Sequence, residues 1–249
     1  MSGTEFPDHF SGHADAYARY RPDYPGALYD WLAGECRLRN VAWDVACGSG
    51  QASAGLVRRF RVVVANDASV AQLSAMPRLR GVHPVAALAE RAPIRAHRVD
   101  LVTCAQAAHW LNMDAFAAEV RRIARPGALV ALWSYGLAEV TPELDHPVRH
   151  FHSVTLEPYW PPQRSHVEAR YRDLPFPFAE VRAPDFAMEK RWTLSGYCRY
   201  LATWSAYRRC LASGAADPLP ALRSRLAGPW GDGARTVRWP LHMRVGVVK

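Results

Sequence analysis

No apolar run in this 249-residue chain approaches the length of a bilayer span, which argues against a membrane-spanning helix. The first residues, Met1-Ser2-Gly3-Thr4-Glu5, hold no basic patch leading into an apolar stretch, so no export signal is expected and the cytoplasm is the expected compartment. Cysteine is scarce. Cys36, Cys47, Cys104, Cys198 and Cys210 are odd in number, scattered and without a C-x-x-C pair, so neither a disulfide framework nor a zinc site is indicated and no metal is expected. Long basic blocks are also missing. The net charge of +8 and a pI near 9.5 come from dispersed arginines with only doublets such as Arg58-Arg59, Arg121-Arg122 and Arg208-Arg209. Nucleic acid and membrane surfaces are therefore not the expected partners, and a small molecule is. No repeat, low-complexity tract or interdomain linker divides the chain.

What is present suits one enzyme-sized unit: 49% hydrophobic and 22% charged residues, enough to bury a large core in a single domain spanning 1–249. Short apolar runs alternate with helical patterns, the mark of a doubly wound parallel sheet. Strands are expected near 41–46, 62–66, 82–86, 99–104 and 128–133. The clearest helix is 113–124, where Phe116, Val120 and Ile123 recur on one face and Pro126-Gly127 ends it. From 137 to about 178 the chain is rich in Pro, His and aromatics and too long for a plain connection, so it reads as a lid inserted after strand 5. Beyond it, 180–192 reads as strand 6, 195–213 as a helix, and the alternating 241–247 as strand 7. Residues 1–40 then cover the core 41–136 from the N-terminal side, and 179–249 complete the sheet.

The run Asp44-Val45-Ala46-Cys47-Gly48-Ser49-Gly50-Gln51 lies between an apolar strand and the helix-like segment 51–60. Small residues at such a turn let backbone N–H groups approach a ligand closely. About twenty residues on, Asp67 follows the next apolar run, where an acid can accept bonds from ribose hydroxyls. A dinucleotide fingerprint needs G-x-G-x-x-G, and its third glycine is Ser53 here. A carboxylate at Asp44 also suits an ammonium group better than a pyrophosphate.

Asp44 to Gly50 resembles motif I of the class I S-adenosylmethionine-dependent methyltransferases, with Ala46 at the first glycine of that pattern, a departure that asks for an unstrained backbone there. Asn66-Asp67-Ala68-Ser69 resembles the family's ribose-binding step and Leu88-Ala89-Glu90 its adenine-flanking segment. Val99 to Thr103 with Ala105-Gln106-Ala107-Ala108-His109-Trp110, and Ala124 to Trp133, resemble the strand 4 and strand 5 blocks. Tyr17-Ala18-Arg19-Tyr20-Arg21-Pro22-Asp23-Tyr24-Pro25 is similar to the opening of the trans-aconitate-methyltransferase-like small-molecule subgroup. The resemblance implies a Rossmann-like seven-stranded α/β fold, mostly parallel with the last strand antiparallel. It implies S-adenosylmethionine as cofactor and S-adenosylhomocysteine as product. The cofactor-binding positions it implies are Tyr20, Arg21, Asp44, Ala46, Gly48, Gly50, Gln51, Asp67, Ala68, Ala89, Glu90, Ala105 and Gln106. Arg21 would offer a planar donor fork to the methionine carboxylate. Trp110, Trp133, Tyr135, Trp160 and Trp204 are the implied substrate contacts. Enzymes of the family that methylate base amino groups carry an Asn or Asp, two prolines and an aromatic after strand 4; Ala105-Gln106-Ala107 stands there instead.

Methyl transfer from a sulfonium is an in-line displacement that needs alignment and a dry pocket, with a base only for a neutral acceptor. His109 is the candidate base. His146 and His150 have helical i, i+4 spacing, but Pro147 and the lack of a following Glu count against a metal pair. The expected activity is methylation of a small molecule, with oxygen of an acidic metabolite the preferred acceptor and sulfur or nitrogen the alternatives. A non-catalytic cofactor-binding partner protein and a nicotinamide-dependent oxidoreductase are the competing classes. A monomer or homodimer is expected.

Overall fold

The computed structural model describes residues 22–249. Helix α1 (Gly26–Glu35) leads into β1 (Val41–Val45), α2 (Gln51–Leu56), β2 (Val62–Asp67), α3 (Val70–Ser74), β3 (Val82–Ala86) and β4 (Val99–Ala105). A 3-10 turn (Ala108–Trp110), α4 (Met113–Ile123) and β5 (Ala124–Tyr135) follow. The lid contains α5 (Pro142–His150), a π turn (Phe151–Thr155), a 3-10 turn (Glu157–Tyr159) and α6 (Arg164–Glu168). The chain closes with β6 (Ala179–Val181), β7 (Ala187–Trp192), α7 (Leu194–Leu201), α8 (Ser205–Ala212), α9 (Leu219–Trp230) and β8 (Arg235–Val247). Among the described residues no helix is long and apolar enough to cross a membrane.

The sheet order is β3-β2-β1-β4-β5-β8-β6. Strands β1 to β5 are parallel, and β8 runs antiparallel to β5 and β6. The chain steps outward from β1 to β3, then restarts at β4 on the other side of β1. That reversal opens a crevice at the C-terminal ends of β1 and β4, where ligands bind in open α/β sheets. β4 is buried on both faces along nearly its whole length, as a central parallel strand must be, with Asp100 and Thr103 its two polar members. One face carries Leu101, Leu129, Ala131, Trp133 and Tyr135 against α1, α5, α7 and α9; the other carries Trp43, Val102, Cys104, Val130 and Leu132 against α4. The lid spans both layers, because Leu144, Val148 and Phe151 join the first and Val167, Tyr171 and Leu174 the second.

Five expectations are corrected. The sheet has eight strands, not seven, because 180–192 divides into β6 and β7 around Pro184, which has no N–H to give a ladder. β7 pairs with the first half of β8 while β5 and β6 flank its second half, so β8 starts at Arg235, well before 241. Pro126-Gly127 does not end a helix: α4 stops at Ile123, and these residues bulge within β5, Gly127 at φ 82° shifting the register against β4. The helix expected over 195–213 is two helices. Thr203 Oγ1 donates to Tyr200 O at 2.6 Å and Trp204 is extended, which turns the chain between them. The first helix after β1 also ends at Leu56, short of 60, and α9 was not legible despite its buried stripe Leu222, Leu226 and Trp230.

Candidate functional site

The turn after β1 passes through three left-handed positions, Ala46 at φ 48°, Gly48 at 55° and Gly50 at 84°. The backbone at Ala46 is therefore strained, contrary to the sequence expectation, at a cost of roughly 1–2 kcal/mol for a residue with a Cβ. Two bonds hold the turn in that shape. Cys47 N–H donates to Asn66 O at 3.0 Å, and Gly48 N–H donates to Asp67 Oδ2 at 2.8 Å. Asn66 is itself pinned, accepting from Trp43 Nε1 at 2.8 Å and donating to Ala87 O at 2.9 Å.

Asp44 lies beneath the turn with no exposed surface. Its Oδ2 accepts from Ser53 Oγ at 2.6 Å and its Oδ1 from Thr103 Oγ1 at 2.9 Å. Burial raises its pKa to about 6, tempered by those two hydroxyls. The sequence places this carboxylate against an ammonium group; in the folded chain it braces β1 to α2 and β4. Ser53, read as a departure from a glycine pattern, is one of its two partners.

Asp67 caps β2, its Oδ1 also accepting from Ser69 N–H at 2.8 Å. Two of a carboxylate's roughly four acceptor positions are thus used and two remain for ligand hydroxyls. Ala68 follows at the same half-buried edge. Ala89 is buried while Glu90 accepts from Asn112 N–H at 3.0 Å, tying the segment after β3 to the start of α4. Gln51 gives its side-chain N–H to Pro22 O, binding the first turn of α2 to the chain before α1. Tyr20 and Arg21 lie outside the described residues.

Gln106 follows Ala105 at the end of β4 in a left-handed conformation, φ 56°. Its side chain clamps β5: Nε2 donates to Tyr135 O at 3.1 Å and Oε1 accepts from Tyr135 N–H at 2.8 Å. The 3-10 turn then presents His109, whose Nδ1 is 2.9 Å from the Tyr171 hydroxyl of the lid. Trp110 stacks obliquely on the same imidazole at 4.8 Å. Burial, then the positive field of Arg164 and His166, pushes the His109 pKa down to about 3, so the ring is neutral in any ordinary buffer. Burial likewise holds the thiols of Cys47 and Cys104 protonated, removing them as nucleophiles.

The aromatic expectations divide. Trp133 is wholly buried on β5, edge-on to Tyr24 at 5.4 Å, with its indole N–H unpartnered among the described residues, so it is core rather than surface for a ligand. Tyr135 is buried beside it. Trp160 and Trp204 do come together, 5.8 Å apart, and His152 lies between them at 4.6 and 5.6 Å. His152 is 6% exposed, its pKa is lowered to about 4 by burial and then by Arg164, and its Nε2 has no hydrogen-bond partner among the described residues. Arg164 stacks on Trp160 with Cζ 4.9 Å from the ring centre. Trp110 belongs to the His109 side of the crevice. Tyr171, His152 and Arg164 were missed by sequence reading; for His152 and Arg164 the only signal was their place in a lid rich in His and aromatics.

Residues 43–132 match the family model described as a methyltransferase domain. A protein of Dictyostelium discoideum provisionally named a methyltransferase is 30% identical over 227 residues, covering 90% of this chain and 86% of its own. An uncharacterized methyltransferase of Mycobacterium tuberculosis is 36% identical over 174 residues, 64% of this chain and 69% of its own. Among solved structures, a provisionally assigned type II methyltransferase of Anaeromyxobacter dehalogenans superposes with a TM-score of 0.86 at 42% identity, over 92% of this chain and 98% of that one.

Proposed function

The chain belongs to the class I S-adenosylmethionine-dependent methyltransferases, and on that premise we propose that it methylates a small acidic metabolite on oxygen, in the manner of the trans-aconitate-methyltransferase-like subgroup. The observation that carries this reading is the seat of Arg164, whose guanidinium lies 4.9 Å from the Trp160 ring centre beside His152 and Trp204, with the buried His109 and His152 imidazoles neutral in its vicinity. Positive charge facing neutral, buried rings suits an acceptor that arrives as a carboxylate. The dispersed surplus of basic residues, +8 overall, favours the same charge.

The residues at the β1 and β2 ends fit the cofactor. Left-handed Gly48 and Gly50 shape a tight turn held by their own N–H bonds to Asp67 and Cys47, and Asp67 keeps acceptor positions for a ribose. When bound, the cofactor supplies a methyl group on a sulfonium, already activated towards displacement. The protein's part is placement and exclusion of water. Asp67 and the turn fix the nucleoside end, Trp160 and Trp204 supply apolar walls, and Arg164, held against Trp160, adds positive charge beside them.

Incubation of the intact protein with methyl-labelled S-adenosylmethionine and a metabolite extract tests the reading. Label in a product that releases labelled methanol under mild alkali marks a methyl ester and supports it. Base-stable label points to S- or N-methylation, and cofactor binding without transfer to a non-catalytic partner protein.

A further inference from the structure

We propose that Tyr171 donates its hydroxyl hydrogen to Nδ1 of His109 and so holds the ring as the Nε2–H tautomer, making His109 a hydrogen-bond donor towards the acceptor and not a general base. Tyr171 is a positioning residue in this scheme. It is wholly buried, and its hydroxyl lies 2.9 Å from Nδ1. Among the described residues that nitrogen is the hydroxyl's hydrogen-bond partner. If Nδ1 carried the ring proton it would donate to that oxygen, and the phenolic hydrogen would have no acceptor among the described residues. An orphaned buried donor costs about 1–3 kcal/mol. Burial keeps the phenol protonated and the imidazole neutral, so the shared hydrogen stays on oxygen and the ring's own proton sits on Nε2.

The lid is built to deliver that hydroxyl. Arg170 and Tyr171 both adopt φ 59°, a left-handed pair made of residues that rarely take it. Arg244 on β8 holds the pair from below, Nη1 donating to Tyr171 O at 3.0 Å and to Leu174 O at 2.7 Å. Its guanidinium is itself fixed by Glu180 and lies 4.7 Å from the Phe176 ring centre. Such bracing of strained backbone marks a constrained, functional turn.

An Nε2–H imidazole cannot take a proton at Nε2. The acceptor must therefore bring its own negative charge, which deepens the proposed function and rests on it. No proton is then transferred in the step: the acceptor oxygen forms the bond to the methyl carbon as the sulfonium sulfur leaves with its electron pair. The Nε2–H can donate to that acceptor throughout.

Long-range 1H–15N correlation spectra of the uniformly labelled full chain at pH 7, with the His109 signals assigned by their loss in His109→Gln, read the tautomer directly. The Nε2–H pattern is expected; an Nδ1–H pattern or an averaged one overturns the proposal. In folded Tyr171→Phe the His109 pattern should move towards a mixture, and an unchanged pattern also overturns it. In methyl transfer to the extract, Gln at position 109 keeps an N–H near the place of Nε2, whereas Asn reaches only the place of Nδ1. The first variant should stay within about tenfold of wild type and the second should fall well below it; equal losses of roughly 10²–10⁴ would mark a base instead. Because the tautomer is read without substrate, an inactive protein would count against the proposed function while the spectrum still tests the tautomer by itself.

Discussion

Thr103 Oγ1 on β4 donates to Asp44 Oδ1 on β1 at 2.9 Å, and the two residues are direct register partners across the point where the sheet reverses its order. A carboxylate with no solvent contact is thereby satisfied on both oxygens by hydroxyls from different elements. Removing one donor leaves a buried acceptor bare. Thr103→Val, nearly the same shape, should cost about 1–3 kcal/mol in urea unfolding and weaken cofactor binding, while Thr103→Ser should recover most of both. Equal stability of the Val and Ser variants would contradict the brace.

Stability should fall on acidification below about pH 6.5, the ordinary value for a free histidine. His109 and His152 have folded pKa values lowered to about 3 and about 4, so the unfolded chain takes up protons first and stability present above pH 6.5 is lost as pH falls towards 4. Asp44 opposes this. Its folded pKa is raised from 3.8 to about 6, so its contribution weakens the fold as pH rises through that interval. Two histidines against one aspartate leave a net acid loss. Urea midpoints at pH 5 and pH 7 measure it, and His109→Gln with His152→Gln should shrink the difference.

Gly50 is the less replaceable of the two turn glycines. A Cβ there would stand 2.7 Å from Met76 Cγ, whereas one at Gly48 meets nothing closer than 3.6 Å. Both positions carry left-handed strain, so Gly48→Ala should cost about 1–3 kcal/mol and Gly50→Ala more. Met76→Ala should relieve part of the Gly50→Ala defect in thermal melts but none of the Gly48→Ala defect.

Gln106 separates clamp from strain. Gln106→Ala loses both bonds to Tyr135 and keeps the left-handed backbone, while Gln106→Gly loses the bonds and sheds the strain. The Ala variant should be the less stable by about 1 kcal/mol in denaturant unfolding. The reverse order would mean that the left-handed backbone at position 106 carries no strain.

The parts of the site written locally were legible. Asp44, Gly48, Gly50 and Asp67 fall within one βαβ unit, where a turn needing small residues and an acid at the next strand end leave a fixed spacing. The apolar runs likewise marked β1 to β4 to within a residue or so, since a central parallel strand leaves little choice of composition. What the sequence hid depends on distance or on side-chain direction. Tyr171 reaches His109 across 62 positions, through two left-handed residues that are not glycines and so announce no turn. Trp133 was read as a pocket aromatic, but the two-residue alternation of β5 sends it with Leu129 and Ala131 into the core. The role of Ser53 was invisible because its partner is a carboxylate nine residues away that only the fold buries.

Calorimetric titration of S-adenosylhomocysteine into the wild-type protein and into Asp67→Ala tests the central claim, that the β1 turn and the β2 acid form the cofactor site. The wild type should bind saturably, and Asp67→Ala, which removes both the ribose acceptor and the bond to Gly48 N–H, should bind at least roughly 10–100-fold more weakly. Absent binding by the wild type, or near-normal affinity in the folded variant, would contradict the account.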